Sequence, residues 1–147
     1  MRPLLPIALA LASLAPMARA QPDTAAPRPG YWDVTSSLLG LYKKTEQICI
    51  TPFDVPRLLH GPLRHDWACN YPLNSAADGK VQFDGGCTGP KGQWMKVHGS
   101  GVYAPTSLNV KVSGRLHIYG LTLSGPGGTD AHFLAEACPA GARHMKY

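Results

Sequence analysis

Beyond residue 20 the sequence has no apolar run of the ~18 residues that a membrane-spanning helix requires. Charge is sparse as well. Only 16% of the residues are charged, the nine acidic residues all stand singly, and Lys43-Lys44 is the one adjacent basic pair. That excludes the basic stripe by which a chain grips nucleic acid. None of the six histidines forms HExxH or another tight ligand spacing. The four cysteines are 20, 18 and 51 residues apart, which excludes the close knuckles of structural zinc. Gly125-Pro126-Gly127-Gly128 lacks the Lys-Ser/Thr ending of a phosphate loop. His98-Gly99-Ser100-Gly101 lacks the glycine two positions before the serine that a nucleophile elbow needs. No acidic pair is set up for acid–base work. These absences leave no catalytic residue, metal ligand or cofactor site to assign, and an enzyme is not expected.

What is present begins with a leader. Met1-Arg2 is a short positive start, residues 3–16 are rich in Leu and Ala, and Ala18-Arg19-Ala20 is a small-x-small cleavage site. This is the layout of a secretory signal peptide, cut after Ala20. Residues 21–147 are then one domain's length. Arg2 and Arg19 leave with the leader, so twelve basic residues face nine acidic ones, a net charge of +3. The expected location is the periplasm or the exterior, with no transmembrane segment in the mature chain and no nucleic-acid partner.

All four cysteines, Cys49, Cys69, Cys87 and Cys138, follow the leader. An even number in a short exported chain reads as a disulfide framework. Asp78-Gly79 is a favoured two-residue hairpin turn. It pairs Ala77 with Lys80 and leaves Cys69 and Cys87 one residue out of register. One bulge, or a small shift in the turn, brings them face to face. Cys69–Cys87 with Cys49–Cys138 is therefore favoured, and Cys49–Cys69 with Cys87–Cys138 remains the alternative.

The rest of the pattern is β-like. Residues 21–29 are Pro- and Ala-rich and read as a flexible lead-in. Trp32 and Val34 alternate on one face, residues 43–50 make a second strand, and residues 66–73 pair with 80–88 around the turn. Residues 93–103 follow, bending near Gly99–Gly101. Leu108, Val110 and Val112 alternate cleanly with polar neighbours. Leu116, Ile118 and Thr122 continue on one face, with Gly114 a bulge or turn. Residues 52–60 are the single helix candidate, capped by Thr51 and stopped by Gly61. Gly125–Gly128 reads as a flexible loop, 131–138 as helix or strand, and 141–147 as a tail. The expected fold over 30–140 is all-β and mainly antiparallel. It is a curved meander sheet or small barrel-like domain, stapled by disulfides, with one short helix near 52–60.

The opening Pro29-Gly30-Tyr31-Trp32-Asp33-Val34-Thr35 resembles the Pro-Gly-x-Trp-acid-Val-Thr start of a bacterial secreted four-cysteine family, catalogued as domain of unknown function 3617. Cys49-Ile50-Thr51-Pro52 is similar to its first cysteine leading into a short helix. Cys69 and Cys87 match its second and third, Cys87-Thr88-Gly89-Pro90-Lys91-Gly92 the turn that follows, residues 103–112 its next strands and Cys138 its last cysteine. The chain departs from the family before that cysteine, where Ala135-Glu136-Ala137 replaces Leu-Gly-x. It also lacks the Met-rich loops of many members, keeping only Met95 and Met145 after the leader. The resemblance implies export and a β-rich fold, with no activity and no catalytic residues to carry over.

A curved sheet can enclose a cavity. The functional expectation is an exported non-catalytic domain that binds a small apolar ligand or an envelope component, with Trp32, Trp94, Tyr103 and Leu116 as candidate ligand-binding residues. The alternative is a protein-binding module, such as an exported enzyme inhibitor, reaching into an envelope protein with the 125–128 loop.

Overall fold

A computed structural model of the chain describes residues 25–145. The leader and its cleavage point lie outside the described residues. Eight strands form one sheet: β1 (Gly30–Leu38), β2 (Tyr42–Ile50), β3 (Ala68–Ala77), β4 (Lys80–Thr88), β5 (Trp94–Ala104), β6 (Ser107–Ile118), β7 (Leu121–Ala135) and β8 (Arg143–His144). Their order is β3-β4-β5-β6-β7-β1-β2-β8. Strands β3 to β7 form an antiparallel meander. The β1–β2 hairpin then joins through β1 to β7, and β8 adds in parallel to β2. β3 and β8 are its two edges, so the sheet is open rather than a closed barrel.

Alternation along the strands sets which face is dry. Val81 and Phe83, Val97 and Tyr103, Leu108 and Val110, Ala131, Trp32 and Ile50 all point to one side and join a single cluster. Trp32 on β1 and Phe83 on β4 share that cluster, so the sheet curls about it. The segment 51–67 crosses this concave side and contributes Leu59. Each such side chain contributes about 1.5–3 kcal/mol on burial.

Two hairpins use two-residue turns with both central residues at positive φ, Asp78-Gly79 and Tyr119-Gly120, and the three-residue β1–β2 turn, Leu39–Leu41, also holds Leu39 and Gly40 at positive φ. The two-residue form is the turn whose twist matches paired strands. The Tyr119-Gly120 reversal resets the alternation. Thr122 therefore lies on the outer face, bonded to His117 Nδ1 at 2.9 Å, and not on the face of Leu116 and Ile118 as the simple alternation predicts.

Three further expectations, the 125–128 loop, the Gly114 bulge or turn and the Thr51 cap, are corrected. Gly125–Gly128 is not a loop but the middle of β7. The glycines are needed where backbones close in, since a Cβ on Gly127 would sit 2.7 Å from the Ser37 carbonyl. Pro126 lies past the last β1 partner, Ser37↔Gly128, where β7 has a neighbour on one side only and a missing N–H is tolerated. Gly114 is neither bulge nor turn but in regular register between Val97 and Gly125. The short helix falls within the expected 52–60 as one turn, α1 (Val55–Leu58), but the buried Asp54 carboxylate accepts the Thr51 N–H at 2.8 Å and hydroxyl at 2.7 Å. That reverses the expected cap. Both ends make contacts where they are described. Ala25 and Met145 pack against the core, the Arg28 N–H donates to the Pro105 carbonyl at 3.1 Å, and β8 occupies part of the expected tail.

Two disulfides staple the sheet, Cys49–Cys138 and Cys69–Cys87. Such bonds fit an extracellular or periplasmic protein. No helix among the described residues is long and apolar enough to cross a membrane.

Candidate functional site

The concave face is not filled along its whole length. Between β1, β2 and β7 on one side and α1 and the last residues on the other lies a cavity of about 740 Å³. Val34, Ile48, Leu58, Thr129 and Met145 form its apolar wall. A smaller cavity of about 230 Å³ shares Leu58, Thr129 and Met145 with it and reaches toward Phe83 and Val110. Local sequence explains the space. Thr129 and Ser36 put short polar groups where neighbouring rows carry Val or Leu, and a helix of one turn covers little of the sheet.

Charge gathers at the lip. Glu46 accepts from Lys44 Nζ at 2.6 Å and from Arg143 at 3.0 Å. The hydrogen bond from Lys44 holds the Glu46 carboxyl below its usual value, and Arg143 on β8 adds to this. An apolar wall with a few convergent polar groups at the mouth is the usual form of a small-ligand site.

A second concavity, about 860 Å³, lies on the outer face across β3 to β6. Gly86 leaves it without a side chain, and Lys96, Arg115 and Trp94 stand around it. Asp84, His98 and Ser113 are direct neighbours in one row across β4, β5 and β6, with Asp84 Oδ2 3.1 Å from His98 Nδ1. The order resembles a relay of carboxylate, imidazole and hydroxyl. Yet the side chains of His98 and Asp84 are 52% and 60% exposed, and no His98–Ser113 hydrogen bond forms among the described residues. Water therefore screens the pair. Among the described residues no three His, Cys, Asp or Glu side chains group to hold a metal.

The four residues singled out for ligand binding do not come together. Trp32 is 1% exposed and its indole N–H donates to the Arg28 carbonyl at 2.9 Å, which makes it core. Tyr103 is core too. Leu116 faces the concave side nearer the β6–β7 turn, opposite Met95. Trp94 is on the opposite face, stacked on His117 with ring centroids 5.6 Å apart. The lining that sequence reasoning missed, Val34, Ile48 and Thr129, carries only the ordinary signal of strand alternation. The α1 cover and the returning β8 turn that wall into a cavity, and neither has a strong pattern.

The family model described as Protein of unknown function (DUF3617) matches residues 27–124. The chain belongs to this family. The matched stretch carries Cys49, Cys69 and Cys87 of the DUF3617 chain and ends inside β7, before Cys138. No curated protein and no solved structure matches the chain.

Proposed function

We propose that this DUF3617 chain is an exported, non-catalytic domain of the bacterial periplasm or exterior that holds a small apolar ligand between the concave sheet face and α1. The observation that carries the reading is the cavity of about 740 Å³ with its Val34–Ile48–Leu58–Met145 wall and charged lip. That volume lies in the range of small-molecule sites, roughly 300–1,000 Å³. Export is supported by the leader's layout and by two disulfides. The alternative, a module that inserts a loop into an envelope protein, loses its anchor, because Gly125–Gly128 is strand.

The test is titration with N-phenyl-1-naphthylamine, whose fluorescence rises in apolar sites. The wild-type chain should enhance it saturably. Ile48→Gln, on the wall, should weaken binding while near-UV circular dichroism stays native. A folded wild-type chain that gives no enhancement would end the proposal.

A further inference from the structure

The two turns at one end of the sheet are built against local preference. A turn position that takes positive φ favours Asn, Asp or Gly. The β3–β4 turn obeys with Asp78-Gly79. The β1–β2 and β6–β7 turns place Leu39 at φ 54° and Tyr119 at φ 50° instead. Bulky side chains held in that region are strained, and such strain clusters at functional positions. These two turns point the same way, because β1 and β7 are antiparallel neighbours, and the β6–β7 hairpin runs on past the β1–β2 turn: the last β1 partner in β7 is Gly128, and β7 begins at Leu121. The Leu39 carbonyl lies 3.0 Å from the position a Cβ would take on Gly125, so the first turn rests on the arm that carries the second.

Both turns are flanked by large apolar side chains in water. Leu41 is 83% exposed and Tyr119 87%, and Leu38, Tyr42 and Leu121 are also exposed. Clustered exposed apolar side chains of this kind mark interaction sites. The opposite end shows polar turns, Asp78-Gly79 and Pro105-Thr106.

Charge identifies the occupant. Lys43 and Lys44 follow directly on Tyr42. Arg115 and Lys96 pair in register on the outer face a few residues behind Tyr119, and Lys91 sits in the neighbouring β4–β5 turn. Among the described residues Lys43, Lys91, Lys96 and Arg115 form no ion pair. Glu46, an acid near this end, is neutralised by Lys44 and Arg143. Leu and Tyr at the tips with Lys and Arg a strand-step behind is the layout of a surface that dips into a bilayer, its cations at the level of anionic headgroups.

We infer that the Leu38–Tyr42 and Ile118–Leu121 turns dock this domain on an anionic lipid surface. The inference is read with a different probe from the cavity and shares with it only Lys44, at the cavity lip.

The test is co-flotation of the disulfide-intact chain with vesicles of phosphatidylglycerol and phosphatidylethanolamine, against vesicles of phosphatidylcholine. The chain should float with the first and leave them as salt rises. Leu41→Ser with Leu121→Ser should lower partitioning on the order of tenfold or more, through lost apolar insertion. Lys43→Glu with Arg115→Glu should lower it similarly on anionic vesicles alone. All variants share one background, so any contribution of the N-terminal residues cancels, and native near-UV circular dichroism certifies the fold. Absence of flotation, or flotation indifferent to both double variants, overturns the inference. So does a dimer in sedimentation that the tip substitutions abolish while vesicles are ignored, because the patch then belongs to a second copy of the chain.

Discussion

Cys69 faces Cys87 directly across β3 and β4, with Cα atoms 3.9 Å apart, although the turn joining these strands sets a register that would offset them by one residue. The register is corrected between Asn70 and Leu73, where Tyr71 and Pro72 together oppose Gly85. Such a bulge on an edge strand also accommodates a proline that cannot donate to the ladder. Gly85 is what lets the bulge close. A Cβ there would lie 2.7 Å from Tyr71 Cα. Gly85→Ala should therefore cost on the order of 1–3 kcal/mol through overpacking. It should also leave a fraction of Cys69 and Cys87 as free thiols, counted by alkylation and mass. Unchanged stability with full oxidation would show that the bulge does not set the pairing.

That bulge marks how far the sequence could be read. Alternating apolar residues exposed the strands, and Asp78-Gly79 with the cysteine offset pointed to the right disulfides, because both signals are local. Tyr119-Gly120 makes the same turn but carries an apolar residue where Asn or Asp is expected, so it passes as strand interior. Gly125–Gly128 read as a loop because glycine and proline are breakers in isolation. Only the close approach of Ser37 and Leu39 shows why β7 needs them. The cavity was less legible still. Its wall looks like any strand face, and its cover depends on β8 returning to β2 from far along the chain.

Trp32 and Trp94 are separable by substitution, although composition makes them look alike. Trp32 lies in the core with an edge-on contact to Phe133, centroids 5.6 Å apart. Trp32→Ala should cost about 3–5 kcal/mol. Trp94 is half-buried on the outer face and loses only its stack on His117. Trp94→Ala should therefore change stability by about 1 kcal/mol or less. Urea unfolding of both variants measures this. Equal losses would contradict the assignment of Trp94 to the outer face.

Tyr71 gives the chain an alkaline limit. Its ring meets Phe83 edge-on, and its hydroxyl donates to the Pro62 carbonyl at 2.6 Å. Burial pushes the phenol from 10 up to about 12. The folded-state pKa is the higher one, so the neutral phenol's contribution is complete below pH 10. It is lost as pH rises to about 12, where the unfolded chain releases the proton first. Stability should fall across that window. Tyr71→Phe should start lower, by about 1 kcal/mol for the lost hydrogen bond, and fall less steeply. Denaturant midpoints at stepped pH test this, and parallel curves for the two proteins would refute it.

The two disulfides should differ in both strength and consequence. Cys69–Cys87 closes a separation of 18 residues and Cys49–Cys138 one of 89. On chain entropy alone these contribute about 3 and about 4.6 kcal/mol, so the longer bridge stabilises more. It also holds the segment that runs into β8. The parallel pairing of β8 with β2 spans only Ile48↔Arg143 and Cys49↔His144, too little to hold that segment unaided. Cys49→Ala with Cys138→Ala should let Arg143 leave Glu46 and Met145 leave the cavity wall. Fast hydrogen exchange at the Arg143 and His144 amides should report the release. Exchange in β4 to β6 should rise only as far as global stability falls. N-phenyl-1-naphthylamine binding should weaken in this variant. Cys69→Ala with Cys87→Ala should spare it, because that bridge touches neither β8 nor the lip. If both pairs weaken binding equally, the cavity depends on overall stability and not on the β8 lip.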